Sequence, residues 1–256
     1  MFAVRRMAPL AILAALAGGW PRPAGADDLP APSPSRLRAV AVLAHPDDEL
    51  IMAPALASLA RQGHEVEIVH ATAGDAGPGV SGLAKGEGLA AARRAEADCA
   101  GRALGTKVRH LGFGDGLLAE HMRDGSLAAA LAPHVTGAEM VLTWGPDGGY
   151  GHADHRLVSA VASQIAQSQP ESERARVLYV GIPAGARPPV AAMADWAVSD
   201  PALLTETIAY SPADLAAATA AAQCHITQFD AASRAGMMAL FDATMWRGAV
   251  RFRRAF

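Results

Sequence analysis

Two cysteines in 256 residues are too few for a disulfide framework. Cys99 and Cys224 can pair in an oxidising compartment, but the sequence leaves their separation in space open. Charge of one sign is also scarce: 22 Lys and Arg against 25 Asp and Glu leave a net charge of −3, which offers no field for nucleic acid. The basic end, WRGAVRFRRAF, is too short to change that and reads as a solvated or packed tail. No apolar run reaches the length of a membrane span, about 20 residues. There is no internal repeat and no Gly-x-Ser-x-Gly elbow, which disfavours a serine hydrolase. The glycine-rich stretch 71–88 matches neither G-x-G-x-x-G nor the P-loop spacing, so it reads as a long loop framing a cleft rather than a phosphate cradle.

The N-terminus carries Arg5 and Arg6, an apolar run from Met7 to Gly18, and Ala24-Gly25-Ala26. This is the pattern of a secretory signal peptide cleaved after Ala26. The expected organisation is a signal peptide over 1–26, a Pro- and Ser-dense leader over 27–37, and one domain over 38–256. The mature protein is expected to be periplasmic or secreted, without stable membrane insertion. Roughly 230 mature residues suffice for one sizeable core and seldom make two domains.

Within the domain, short runs rich in Val and Ile alternate with Ala-rich segments at helical period. Strands are expected at 39–44, 65–71, 107–111, 140–144 and 177–181, and helices at 51–61, 87–104, 127–134, 155–167 and 212–223. Residues 187–210 read as a loop, a short helix and a late strand. The alternation predicts an α/β fold: a Rossmann-like, mostly parallel sheet with helices on both faces. Ligands of such sheets collect beyond the carboxyl ends of the strands.

LAHPDDEL, residues 43–50, crowds His45, Asp47, Asp48 and Glu49 into that position after the first strand. His45 and Asp48 are a nitrogen and a carboxylate donor three residues apart, suited to one small metal ion. Aspartates capping the following helix are the structural alternative. A second cluster, WGPDGGYGHADHRLV over 144–158, follows the fourth strand and brings His152, Asp154 and His155 to the same sheet edge. His155 supplies a third ligand and leaves a position open for water, as catalytic zinc requires.

AHPDDE followed about a hundred residues later by GHADH resembles the PIG-L/LmbE family of zinc-dependent N-acetylglucosaminide deacetylases. The resemblance covers about Ala39 to Gln228. It implies hydrolysis of the N-acetyl group of an N-acetylglucosamine-type amino sugar or glycan conjugate. It makes His45, Asp48 and His155 the ligands of one Zn2+ per chain, Asp47 the general base, and His152 the group that polarises or protonates the reacting amide. The same donors would also accept another divalent ion. Tyr150 matches a tyrosine that helps the oxyanion in some members, and Asp154 is expected to orient an imidazole.

Residues 92–118 resemble the family's R-x-x-E helix, strand and Asp-Gly turn, which makes Arg93 and Asp115 candidates for gripping sugar hydroxyls. CHITQF, 224–229, resembles the family's H-x-S-Q segment with Thr227 for serine, and His225 and Gln228 read as structural. Two other readings are a zinc amidase that removes a different acyl group and a zinc-containing carbohydrate-binding protein without turnover. Oligomeric state is not readable.

Overall fold

The computed structural model describes residues 36–256; the expected signal peptide and nearly all of the leader lie outside them. Seven strands form one sheet: β1 (Arg38–Leu43), β2 (Glu65–Thr72), β3 (Lys107–Phe113), β4 (Met140–Thr143), β5 (Arg176–Val180), β6 (Glu206–Ala209) and β7 (Ala249–Arg254). Their order is β3-β2-β1-β4-β5-β7-β6. The first five run parallel, while β7 pairs antiparallel with both β5 and β6. The chain moves outward from β1 through β2 to β3, then returns to the other side of β1 as β4. The reversal opens a crevice at the carboxyl ends of β1 and β4, the position where open α/β sheets bind ligands.

Among the described residues the α-helices are α1 (Ala53–Arg61), α2 (Glu87–Leu104), α3 (Leu118–Arg123), α4 (Ser126–Val135), α5 (the single turn Gly148–Gly151), α6 (Ala153–Gln167), α7 (Pro212–Cys224) and α8 (Ala231–Phe241). Both faces of the sheet are covered. Ala39, Ala41 and Leu43 of β1 join one core with residues of α1, α7 and α8, and Val40 and Val42 join the other with residues of α4 and α6. This is why buried parallel strands read as continuous apolar runs. Among the described residues no helix is long and apolar enough to cross a membrane.

The C-terminal expectation needs correction. The segment read as a tail is β7, inserted between two strands of the sheet, with Val250 and Phe252 fully buried. Arg251 and Arg253 occupy the alternate positions, and Arg254 at the end of the strand pairs with Glu206 of β6. The two cysteines, left open above, are joined: Cys99 of α2 is disulfide-bonded to Cys224 at the end of α7.

Candidate active site

Beyond β1 the backbone turns sharply at Ala44-His45-Pro46-Asp47-Asp48. Asp47 adopts φ +96°, a left-handed conformation that a residue with a Cβ rarely takes. Glu49 accepts the Asp47 N–H at 3.0 Å, and Arg93 donates to the Pro46 carbonyl at 2.6 Å and to the Asp47 carboxylate at 3.2 Å. The capping alternative does not hold, because the Asp47 side chain caps no backbone N–H of the following turn. Asp48 instead uses Oδ2 to accept the backbone N–H groups of Ala44 and His45 at 2.9 and 3.0 Å.

Beyond β4, Asp147 to Gly151 forms a glycine-rich bend before α6. At Gly149, φ is +74° and a Cβ would lie 2.9 Å from the Trp144 ring; no other residue fits. The bend delivers His155, in the first turn of α6, to the same crevice as His45. His155 Nε2 lies 3.0 Å from Asp48 Oδ1 and 3.3 Å from His45 Nδ1, and His45 Nδ1 lies 3.8 Å from Asp48 Oδ2. The three expected ligands therefore converge, all buried. His152 also converges on His45 and His155, as do Asp115 and Asp154 on His45.

The hydrogen bonds around the imidazoles test whether a cation fits. His155 Nδ1 donates to the Gly148 carbonyl at 3.1 Å, which leaves Nε2 with its lone pair facing the trio. His45 Nε2 faces Asp115 Oδ1 at 3.1 Å and Asp154 Oδ2 at 3.6 Å, so His45 also turns Nδ1 inward. Outer nitrogens tied to oxygen acceptors are how metal-ligating histidines are usually fixed. Burial pulls the His45 pKa down, but Asp115, Asp154 and Asp48 together raise it well above its ordinary value. The surroundings thus favour positive charge at this point, and two nitrogens with one carboxylate oxygen suit a divalent ion.

Asp47 lies beside the trio and lines the cleft. Burial pushes its carboxyl up to about 6, with Arg93 pulling the other way. His152 is the N-cap of α6, and its Nδ1 accepts the Asp154 N–H at 3.2 Å, so the neutral ring carries its proton on Nε2. Burial lowers the His152 pKa, as do His45 and His155. Its ring stacks on His155 at 4.7 Å between centroids. Tyr150, half-exposed on the bend, sits edge-on to both His152 and His155, and burial of the phenol raises its pKa well above the usual value.

Arg93 and Asp115 are placed differently from the sugar-gripping expectation. Arg93 is buried, and its guanidinium donates to the carbonyls of Pro46 and Gly74 and to Asp47, all protein acceptors. Asp115 spends one oxygen on His45 and the other on the Ala76 N–H at 3.3 Å. Asp154 accepts the Gly116 N–H at 2.8 Å and so braces the turn that carries Asp115.

A support lies beneath the first motif, in keeping with the structural reading of His225. Glu49 is fully buried and accepts His225 Nε2 at 2.6 Å and His70 Nε2 at 3.1 Å. Although burial opposes it, these partners hold the Glu49 carboxyl well below the usual carboxylate range. Glu96, one turn after Arg93, accepts the backbone and hydroxyl of Thr227 at 2.8 and 2.7 Å. No pattern in the sequence pairs Glu96 with Thr227.

Residues 40–166 match the family model described as PIG-L: GlcNAc-PI de-N-acetylase. A 1D-myo-inositol 2-acetamido-2-deoxy-alpha-D-glucopyranoside deacetylase of Nakamurella multipartita is 39% identical over 163 residues, 50% of this chain and 53% of the relative. The enzyme of the same name from Corynebacterium glutamicum is 33% identical over 168 residues, 53% of this chain and 54% of the relative. The chain thus spans about half the length of these relatives. Among solved structures, the N,N'-diacetylchitobiose deacetylase of Pyrococcus horikoshii superimposes with a TM-score of 0.64 at 19% identity, covering 86% of this chain and 84% of its own. A 4-carboxy-2-hydroxymuconate hydratase of Pseudomonas putida also shares the fold, with a TM-score of 0.57 at 19% identity, covering 86% of this chain and 96% of its own. At these identities the likeness is one of fold, and the fold alone does not select the reaction.

Proposed function

From a chain that carries a PIG-L family domain over residues 40–166, we infer a zinc-dependent deacetylase that hydrolyses the N-acetyl group of an N-acetylglucosamine-type amino sugar or conjugate. The observation that carries this reading is the convergence of His45 Nδ1, His155 Nε2 and Asp48, with both outer imidazole nitrogens tied to oxygen acceptors, beside the raised carboxyl of Asp47. His45, Asp48 and His155 would hold the ion. Bound there, zinc supplies a Lewis acid for the amide carbonyl and makes water more acidic.

The remaining work falls to side chains. Asp47, raised towards neutrality, takes the proton of the attacking water. Arg93 and Glu49 hold it in place against its unfavourable backbone angle. His152, fixed with its proton on Nε2, donates to the oxygen that gains negative charge, and the Tyr150 hydroxyl can add a second donor from the bend. The amide C–N bond breaks as the amine nitrogen is protonated, giving acetate and the free amino sugar.

The export reading rests on the N-terminal pattern and gains support from the Cys99–Cys224 disulfide, since such bonds persist in oxidising compartments. An envelope or extracellular glycan, or a secreted amino-sugar conjugate, is the substrate that location would offer. Fractionation of the full-length chain against one lacking residues 1–26 tests it, and unchanged location would refute it.

The test of activity is acetate release from N-acetylglucosamine and N-acetylated oligosaccharides by protein stripped of metal and then reloaded with zinc. Zinc-dependent release that disappears in Asp47→Ala, with metal content unchanged, supports the hydrolase. Equal ligand binding by the two forms without turnover favours a carbohydrate-binding protein.

A further inference from the structure

The proposed hydrolysis turns on Asp47, and its backbone does not hold it in place unaided. At φ +96° a non-glycine residue is in an unfavourable conformation that persists only where its surroundings over-determine it. One such support is Glu49, whose carboxylate bends back from the single turn Asp48–Ile51 to accept the Asp47 N–H at 3.0 Å. Glu49 is fully buried, so its charge has to be met inside the protein. Oε1 accepts His225 Nε2 at 2.6 Å, a short charge-assisted contact, while Oε2, which takes the Asp47 N–H, also accepts His70 Nε2 at 3.1 Å. Both imidazoles are fully buried, and their Nδ1 atoms meet no hydrogen-bond partner among the described residues. A ring that merely filled space would be cheaper as a hydrocarbon, because an unpaired buried nitrogen carries a penalty.

The chain on both sides of His225 is tied to α2. Cys224 is bonded to Cys99, and Thr227 gives its N–H and its hydroxyl to Glu96 at 2.8 and 2.7 Å. The same helix carries Arg93, which donates to the Asp47 carboxylate. Helix α2 therefore reaches Asp47 twice, at the side chain through Arg93 and at the backbone N–H through His225 and Glu49. The metal ligand Asp48 depends on neither route, since its Oδ2 is fixed by the N–H groups of Ala44 and His45.

We propose that His225 is a positioning residue for the hydrolysis: by fixing Glu49 it aims the Asp47 carboxylate at the attacking water, and it leaves the metal ligands as they are. The inference rests on the amide-hydrolase reading above, in which Asp47 is the base.

The test compares His225→Leu, which removes the donor, with His225→Gln, whose amide nitrogen can take the place of Nε2. Asp214→Asn, which loosens α7 at its opposite end, is the control for stability. In His225→Leu, kcat for acetate release from N-acetylglucosamine and N-acetylated oligosaccharides should fall about 100-fold, with KM unchanged and zinc affinity unchanged by chelator competition. His225→Gln should recover most of kcat, and Asp214→Asn should melt lower yet keep its kcat where it is folded. A second readout needs no turnover: in isotope-labelled protein, amide exchange at Asp47 should be slow in the parent and quicken in His225→Leu, while Ala44 and His45 stay protected.

A kcat that follows melting temperature across the three variants would overturn the proposal and return His225 to a purely structural part. A parallel fall in zinc affinity would overturn it as well, since the effect would then run through the metal ligands. Free exchange at Asp47 in the parent would do so even if no His225 variant folds. A parent that releases no acetate would remove the deacetylase reading alone, and the exchange result would still decide whether His225 holds the turn.

Discussion

Asp47 and Asp115 show how little a residue type says about its task until its contacts are known. A left-handed backbone at a non-glycine residue costs about 1–3 kcal/mol, and Asp47 is held there by Arg93 and Glu49 from opposite sides. If Arg93 positions the turn, Arg93→Met leaves the partly exposed Asp47 carboxylate without its cation and the Pro46 and Gly74 carbonyls without their donor, and destabilises the fold by about 1–3 kcal/mol, with loss of kcat. A residue that merely gripped substrate would raise KM and leave urea unfolding unchanged. Asp115 makes a parallel case: with its carboxylate on His45 Nε2, Asp115→Asn is expected to weaken metal binding about 10- to 100-fold. Competition with a chromogenic chelator measures this directly, and undiminished affinity would return Asp115 to the sugar side.

At the scale of elements, α7 owes its start to Ser211 and Asp214, which form a reciprocal capping box, with Arg61 of α1 donating to both Asp214 oxygens at 2.7 and 2.9 Å. Arg61 pulls the Asp214 carboxyl down to about 2, against its burial, and Ser211 adds to the effect. A depressed carboxyl stabilises the native state above its unfolded pKa, about 3.9, and that contribution is lost as pH falls through its folded value. Asp214→Asn is therefore expected to melt lower at pH 7, with the capping loss worth about 1 kcal/mol, and the gap to the parent should close as the pH approaches 2. A gap that persists unchanged in acid would place the effect in packing instead.

This box is legible as S-P-A-D before an Ala-rich run, and α2 matches the expected 87–104, with Gly86 and Gly105 at its two ends. β7 was equally written in its sequence, as Val and Phe alternating with arginine over A-V-R-F-R-R. Its three arginines give it the look of a basic tail, but the period of two is the stronger signal. The metal trio was legible because both motifs are local and follow strands. The links from Glu49 to His225 and from Glu96 to Thr227 join residues 176 and 131 positions apart, and no local pattern encodes such a pairing.

For the molecule as a whole, the disulfide connects the sheet's covering layer to the site. Cys99 lies one turn beyond Glu96 and nearly two beyond Arg93 on α2, and Cys224 immediately precedes His225, the partner of Glu49. The bond thus clamps α2 to α7 at the place where both support the HPDDE turn. Closing a segment of 125 residues stabilises the fold chiefly by restricting the unfolded chain, by about 2–5 kcal/mol. The double variant Cys99→Ser, Cys224→Ser is therefore expected to lose stability of that size in urea, and the parent should lose the same amount when reduced. Because the supports of Asp47 also hold through hydrogen bonds, zinc-dependent turnover well below the melting temperature should survive reduction with little change in KM. A large loss of kcat at a temperature where circular dichroism shows the reduced protein still folded would mean that the clamp, and not the hydrogen bonds, sets the geometry of the turn. Equal melting of oxidised and reduced protein would mean that the bond does not form in the protein as isolated, and would withdraw the support that it lends to export.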